Sequence, residues 1–308
     1  MALTYDQITA VTQRKYLPKM IDNIFDSDPL LKRSKEKGWY QPVDGGTSIF
    51  QPLMYAQTTA AGSYAPTATL DTTDNDSFTA AEYAWKFYYA NITISGADEH
   101  KNMGDAQVLD FVKNKVMAAE MTLKDKIGDG IYSTGGTSTD IGGLRLIVDT
   151  GNTVGAIDQA TYSWWQASTE DSSTTTLSMS ALQTAYNAAA INGKHPTVMT
   201  ATRANYNRLY ALLQPQQRFV DEQSAKAGFQ SLMFNGCPFL VSAKCPANHI
   251  FLLNEEFLHL YHHPKRDFKM DPFIKSSVQD LMTAKVFWMG NLGSSNNRMH
   301  GKLSAVTA

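Results

Sequence analysis

The sequence predicts an α+β fold with one long projecting β-excursion, and three observations carry that prediction. Two β-prone apolar runs, 48–56 and 82–95, flank a stretch at 57–81 made mostly of Thr, Ala, Ser, Asp and Gly, with little to bury. A compact domain seldom holds so long an unstructured connection, so 41–95 is expected to be an arm that leaves the body. A long amphipathic helix follows at 105–127, and an α/β block at 176–262 precedes further β-rich stretches. An arm of this kind cannot cover its own aromatic face and needs another surface to rest on.

Each element has its own signal. Residues 1–40 show short helical patterning, with Ile21, Ile24 and Phe25 on one face and breaks at Asp28-Pro29 and Gly38. Basic residues there alternate with acids, as on a solvated arm. In the returning strand of the excursion Tyr83, Trp85, Phe87 and Tyr89 alternate onto one face, with Glu82, Ala84 and Lys86 opposite. These four aromatics are the candidate inter-subunit contacts. Ile92 and Ile94 continue in the other phase, which predicts a bulge or sharp twist where the arm joins the body.

Within 105–127, Leu109, Val112, Val116, Leu123 and Ile127 recur at steps near three and four, giving a spine helix of roughly 35 Å. Asp105 can cap or charge its start, and Gly128-Asp129-Gly130 is expected to stop it. Residues 133–178 are rich in Gly, Ser and Thr around a short apolar piece at 144–148, and read as irregular. Ser180 is expected to open a helix at 181–191 that Gly193 closes. A strand at 195–200 follows, then a helix at 203–213 capped by Thr202 and stopped by Pro215. Short β-runs lie at 231–234, 237–243 and 249–253, with Asn235-Gly236 a tight-turn signal between the first two. Runs at 267–274, 281–289 and 299–306 finish the chain.

Composition excludes several function classes. At 308 residues and 34.0 kDa there is room for one large or two ordinary domains. Hydrophobic residues make up 43% and charged ones only 18%, a low share for a soluble surface that fits one partly hidden against other subunits or a globule rich in Ser, Thr and Ala. The net charge of −2 gives no basic footprint for gripping phosphates. Cys237 and Cys245 are too few for a disulfide scaffold. No signal pattern or membrane-spanning apolar run is present, so a soluble chain made in a reducing cytoplasm is expected.

Catalytic and cofactor motifs are missing. There is no nucleophile elbow, no H-E-x-x-H and no phosphate-binding loop. His259, His262 and His263 are the best metal candidate, yet they sit in a segment that reads as extended chain ending at Pro264. Alternating residues there face opposite ways, so only some could converge. The Asp71, Asp74 and Asp76 cluster lacks the glycine and distal Glu of a calcium loop. No catalytic, cofactor-binding or metal residue is assigned.

The order of parts resembles the major capsid protein of tailed bacteriophages, the Hong Kong 97-type fold. The stretches that carry the likeness are HPTVMTATRANY at 195–206, FNGCPFLVS at 234–242, IFLLN at 250–254, and the tail from VQD at 278–280 to GKLS at 301–304. The resemblance implies an N-terminal arm at 1–40, an extended loop at 41–95 and a peripheral domain with the spine helix at 96–175. It implies an axial domain at 176–262, and peripheral strands plus a last axial strand at 263–308. It further implies a non-enzymatic shell protein that forms hexamers and pentamers around double-stranded DNA. A scaffolding protein, a portal and a decoration protein would be its partners, with no membrane and no cofactor. Its place would be the virion capsid, assembled in the host cytoplasm. No long helical N-terminal extension is present, so a separate scaffold or a prior cleavage is implied, and no cross-linking Lys or Asn is carried over. Two alternatives stay open: an encapsulin-like nanocompartment shell, and an α/β metal-dependent enzyme using the His259–His263 group.

Overall fold

The computed structural model describes residues 29–73, 75–96, 105–135, 139–172, 176–213, 232–275 and 279–306, with the side chains of its longest helix from residue 114 onward. The expectations for 1–28, Asp74 and the loop at 218–228 fall outside these residues.

The chain enters on helix α1 (Pro29–Lys37) and strand β1 (Tyr40–Pro42), then forms a ribbon of β2 (Ser48–Met54) and β3 (Phe78–Ala84). Trp85 separates β3 from β4 (Lys86–Ser95). Helix α2 (Asp105–Ile131) leads to a short α3 (Leu144–Ile147), the hairpin β5 (Thr153–Val154) and β6 (Ile157–Asp158), and β7 (Ser168–Asp171). There follow α4 (Met179–Ala188), β8 (Val198–Ala201), α5 (Arg203–Leu213), β9 (Met233–Phe234), β10 (Cys237–Val241) and β11 (Ile250–Leu253). The chain closes with β12 (Leu258–His262), β13 (Lys269–Met270), β14 (Ile274–Lys275), β15 (Leu281–Ser294) and β16 (Gly301–Ser304).

Two sheets organise these elements. In the first, β15 is the axis: β4 runs antiparallel along one edge, and β12, β13 and β14 follow one another along the other. β1 pairs parallel outside β12. One face is closed by α2, where Val116, Leu123, Ile127 and Ile131 share a core with Ile92, Ile94, Val286 and Trp288. Each such side chain taken fully out of water contributes about 1.5–3 kcal/mol. The second sheet runs β7-β16-β11-β8-β10-β9. Its central strands β8 and β11 are buried throughout, which suits their largely apolar sequence, and the polar Thr200 of β8 shares a hydrogen bond of 2.8 Å with the Tyr132 hydroxyl. Leu182 of α4 and Leu209 of α5 complete that core with Met199, Phe239, Ile250 and Leu303.

The joint between the sheets carries a polar network. Arg33 of α1 donates two hydrogen bonds to the Glu255 carboxylate, at 2.6 and 2.9 Å, and Thr197 Oγ1 donates a third at 3.0 Å. A bidentate pair this sheltered fixes α1 against the β11–β12 link. Nearby, buried His300 accepts from the Asn254 N–H at Nδ1 (3.3 Å), and its Nε2 lies 3.1 Å from Ser294 Oγ. Only the neutral ring can accept at Nδ1 while donating from Nε2. Burial therefore pulls the His300 pKa down, to about 3.

Several expectations need correction. Helix α2 does not stop at Gly128 but continues through Gly130 to Ile131. The reason is close packing: a Cβ on Gly130 would lie 2.9 Å from Tyr88 Oη and 3.1 Å from Ile141 Cδ1. Ser178, not Ser180, caps α4, its Oγ accepting from the Ala181 N–H at 3.1 Å. Thr202 precedes α5 as expected, yet its hydroxyl is buried without a hydrogen-bond partner. Strand β12, expected in the axial block, pairs with β15, and β7, expected with the spine helix, pairs with β16. β1 and β4 belong to the body sheet, which narrows the ribbon to 48–84. The Asn235-Gly236 turn is present, with φ of 47° and 80°.

The histidine geometry sets a pH dependence. His300 and His262 stay neutral in the folded chain, with pKa values near 3 and 4, whereas the unfolded chain takes up their protons near pH 6.5. Stability is thus full above that value and falls as pH drops below it, by about 1.4 kcal/mol per pH unit for each histidine. Urea unfolding of the dissociated subunit between about pH 7 and 5 should show this decline. His300→Gln, which can keep both hydrogen bonds, should remove about half of this slope and leave the His262 share, and an unchanged slope would contradict the assignment.

Candidate assembly surface

The ribbon is built with one face tied to its own chain and one face open. Along its register Ile49 faces Tyr83, Gln51 faces Ala81 and Leu53 faces Thr79. Ile49, Leu53, Ala81 and Tyr83 are buried on this inner side. The Tyr83 hydroxyl donates to the Ser294 carbonyl at 2.8 Å and accepts from the Ser294 N–H at 3.0 Å. Burial pushes its pKa well above the usual phenol value. Tyr261 Oη donates to Gln51 Oε1 at 2.7 Å, and the Glu82 N–H donates to the Gly155 carbonyl at 2.9 Å. Gly155 has φ +60° and touches β3 so closely that a Cβ would lie 2.6 Å from that of Ala81.

On the outer side Phe50, Met54 and Phe78 are exposed, Phe78 at 71%, with Met54 and Phe78 directly paired across the strands. Beyond them the described residues of 55–73 and 75–77 form no helix or strand. The root of this stretch is closed by the Tyr55 N–H donating to the Ser77 carbonyl (3.1 Å), while Tyr64 and Leu70 lie exposed. The ribbon is therefore neither wholly unsupported nor folded away.

Trp85 is the elbow. Its Nε1–H donates to the Gly46 carbonyl at 3.0 Å, and its ring meets His263 edge-on with centroids 5.8 Å apart. Up to Trp85 the buried residues are odd-numbered; from Ala90 onward they are even-numbered, in Ile92 and Ile94. The predicted phase change is real but falls at 85–86, where the strand exchanges β2 for β15 as partner. The four candidate contacts consequently divide, which corrects the expectation of one shared face. Tyr83 and Trp85 are 5% and 8% exposed, inside the chain's own core, whereas Phe87 and Tyr89 are 60% and 67% exposed.

Phe287 and Met289, opposite Tyr89 and Phe87 in register, share the open sheet face and were not singled out from sequence. Both phases of 281–289 contain apolar residues, so alternation there could not say which face was open.

The three histidines are not brought together. His259 Nε2 lies 3.2 Å from Ser295 Oγ, and His263 Nδ1 accepts from the Lys265 N–H at 3.1 Å. His262 stacks on Tyr40 with centroids 3.8 Å apart, beside Asp267, and burial pulls its pKa down to about 4. Among the described residues no three His, Cys, Asp or Glu side chains are grouped so as to hold a metal ion, and no helix is long and apolar enough to cross a membrane.

No protein-family model matches the chain, and no curated protein does. Solved structures do. A capsid asymmetric unit of cyanophage A-1(L) matches with TM-score 0.69 and 16% identity, over 89% of this chain and 93% of that one. This chain has the phage capsid-protein fold. The capsid of an empty GTA particle matches with TM-score 0.60 and 11% identity, covering 88% and 89% of the two chains. The holo-SrpI encapsulin complex of Synechococcus elongatus PCC 7942 matches with TM-score 0.57 and 13% identity, covering 87% and 84%. The capsid fold is thus α+β, of the Hong Kong 97 type expected from the order of parts, and carried by shape rather than by shared residues.

Within this capsid fold the elbow and the open face should separate in their effects. Trp85→Ala should lower subunit stability by about 3 kcal/mol, as for other large buried aromatics. Phe87→Ser and Tyr89→Ser should stay within about 0.5 kcal/mol of the parent in urea unfolding. Equal losses at all three positions would contradict the division.

Proposed function

We propose that this chain is a major capsid protein whose copies assemble as hexamers and pentamers into an icosahedral shell around phage double-stranded DNA. The observation that carries the reading is a capsid fold that leaves two apolar surfaces open, the outer side of the ribbon and the sheet face at Phe87 and Tyr89. Covering their exposed aromatic area on a neighbour would contribute on the order of several kcal/mol per subunit at about 25 cal/mol per Å². Many such contacts closed by symmetry hold a shell together although none is tight alone. The net charge of −2 suits a genome that is confined rather than gripped. Parts map onto roles accordingly: β2–β3 as the extended loop, α2 and the β15 sheet as the peripheral domain, and the β8–β11 sheet as the axial domain. A separate scaffolding protein and a portal would direct assembly in the host cytoplasm, and a decoration protein is a further candidate partner. The reading assigns the chain no catalytic step.

The likeness to the SrpI encapsulin supports a second reading, a nanocompartment shell enclosing protein cargo. Particles purified with DNA inside favour the capsid; particles purified with an enzyme inside favour the compartment.

Replacing 57–75 with a short Gly/Ser turn should leave a folded subunit by circular dichroism that builds no closed particles by negative-stain microscopy. Phe87→Ser combined with Tyr89→Ser should reduce particle yield severely while the subunit's unfolding curve is preserved. Normal particles from both variants would refute the proposal.

A further inference from the structure

The segment 149–167 lies in a stretch that reads as irregular, yet its own side chains brace it. Gln159 is fully buried at its centre. Its Nε2 donates to the Ile147 and Trp165 carbonyls at 3.0 and 3.4 Å, and its Oε1 accepts from the Asn152 N–H at 3.3 Å. Trp165, also buried, donates from Nε1 to the Val154 carbonyl at 3.0 Å. Satisfied polar groups this deep stiffen the segment into one piece.

That piece grips the ribbon at two levels. Near the body, the Gly155 carbonyl accepts the Glu82 N–H, and Gly155 lies so close to Ala81 that no Cβ would fit between them. At the far end of the ladder, where Tyr55 closes on Ser77, the Tyr55 ring stacks on Trp164 with centroids 5.3 Å apart and planes 26° from parallel. Trp164 is itself backed by Trp165 and Tyr162, at 5.7 and 6.0 Å between centroids. Four residues of extended chain separate the Ala81 and Ser77 levels, about 13 Å. A single grip would leave a pivot, whereas two at this spacing fix a direction.

The same segment is bound to the second sheet. The Ala167 N–H donates to the Asp149 carbonyl at 3.1 Å, which closes the two ends of the segment on each other. Lys302 of β16 pairs with the Asp149 carboxylate at 3.0 Å, and the chain continues into β7, which runs parallel to β16. No ribbon strand pairs with the second sheet among the described residues, so 149–167 is what joins them.

We propose that residues 149–167 are a clasp that sets the ribbon's direction relative to the second sheet in the free subunit. A ribbon held this way meets a partner without paying for its own ordering, and only the tip beyond Tyr55 is left to adapt. The clasp belongs to the single subunit and stands apart from the shell reading; its effect on assembly rests on that reading.

Pulsed electron paramagnetic resonance on the dissociated subunit tests the clasp. Nitroxides on Ala80→Cys and Thr184→Cys, both exposed positions, report the ribbon against α4, which packs on the second sheet; Cys237 and Cys245 are buried. The labelled parent should give one narrow distance. Tyr55→Ala should broaden it about twofold, and Tyr55→Phe, which keeps the ring, should leave it narrow. A broad distribution in the parent, or a narrow one in Tyr55→Ala, would overturn the clasp. Tyr55→Ala without labels should also lower the yield of closed particles in negative-stain microscopy. Full yield beside a broadened distance would overturn the effect on assembly. If the parent chain builds no particles, the shell reading falls, and the distances still decide the clasp.

Discussion

The change of partner at Trp85 is the constraint from which the rest of the architecture follows. A strand that kept one phase from 78 to 95 would put Tyr83, Trp85, Phe87 and Tyr89 on one side, and Ile92 and Ile94 would face water. Breaking the ladder for one residue lets β3 stay with β2 while β4 joins β15 from Ser95 to Lys86. Anchored through its indole to Gly46 and His263, Trp85 makes the junction a fixed elbow. One segment thereby supplies both an edge of the body and the return leg of a projecting ribbon.

Burial and exposure divide along that elbow. Behind β4 and β15, helix α2 closes a continuous apolar core, and Gly130 allows the helix to approach Tyr88 without a break. In front, among the described residues, the ribbon root covers the sheet near Gly293, while Phe87 and Tyr89 lie exposed. An apolar face open beside a covered one is costly in an isolated subunit and useful in one that assembles. The same design accounts for the low charged fraction noted from composition.

How much of this could be read in the sequence depended on whether the signal was local. The ribbon and its return strand were legible because alternation and the polar run at 57–81 are properties of the segment itself. Helix α2 was legible from its spacing, but its end was misplaced: the glycines there answer to Tyr88 and Ile141, partners distant in sequence. The division of the aromatics was hidden for the same reason, since only the choice of β15 as partner decides which side of β4 is open. Phe287 and Met289 could not be chosen from a strand apolar in both phases. The assignment of β7 and β12 to their sheets rests on pairings across the whole chain, and no window of sequence records those. The histidine cluster looked denser in sequence than in space, because extended chain sends neighbours to opposite faces.

The central claim is that the ribbon and the open sheet face are surfaces of assembly. Hydrogen exchange compared between dissociated subunits and purified particles measures it most directly, because among the described residues the amides of 55–73 and 75–77 have few backbone partners. The account predicts fast exchange across 55–77 in the subunit and marked slowing there in the particle, accompanied by slowing around 86–91. Particles in which both regions exchange as fast as in the free subunit would contradict it.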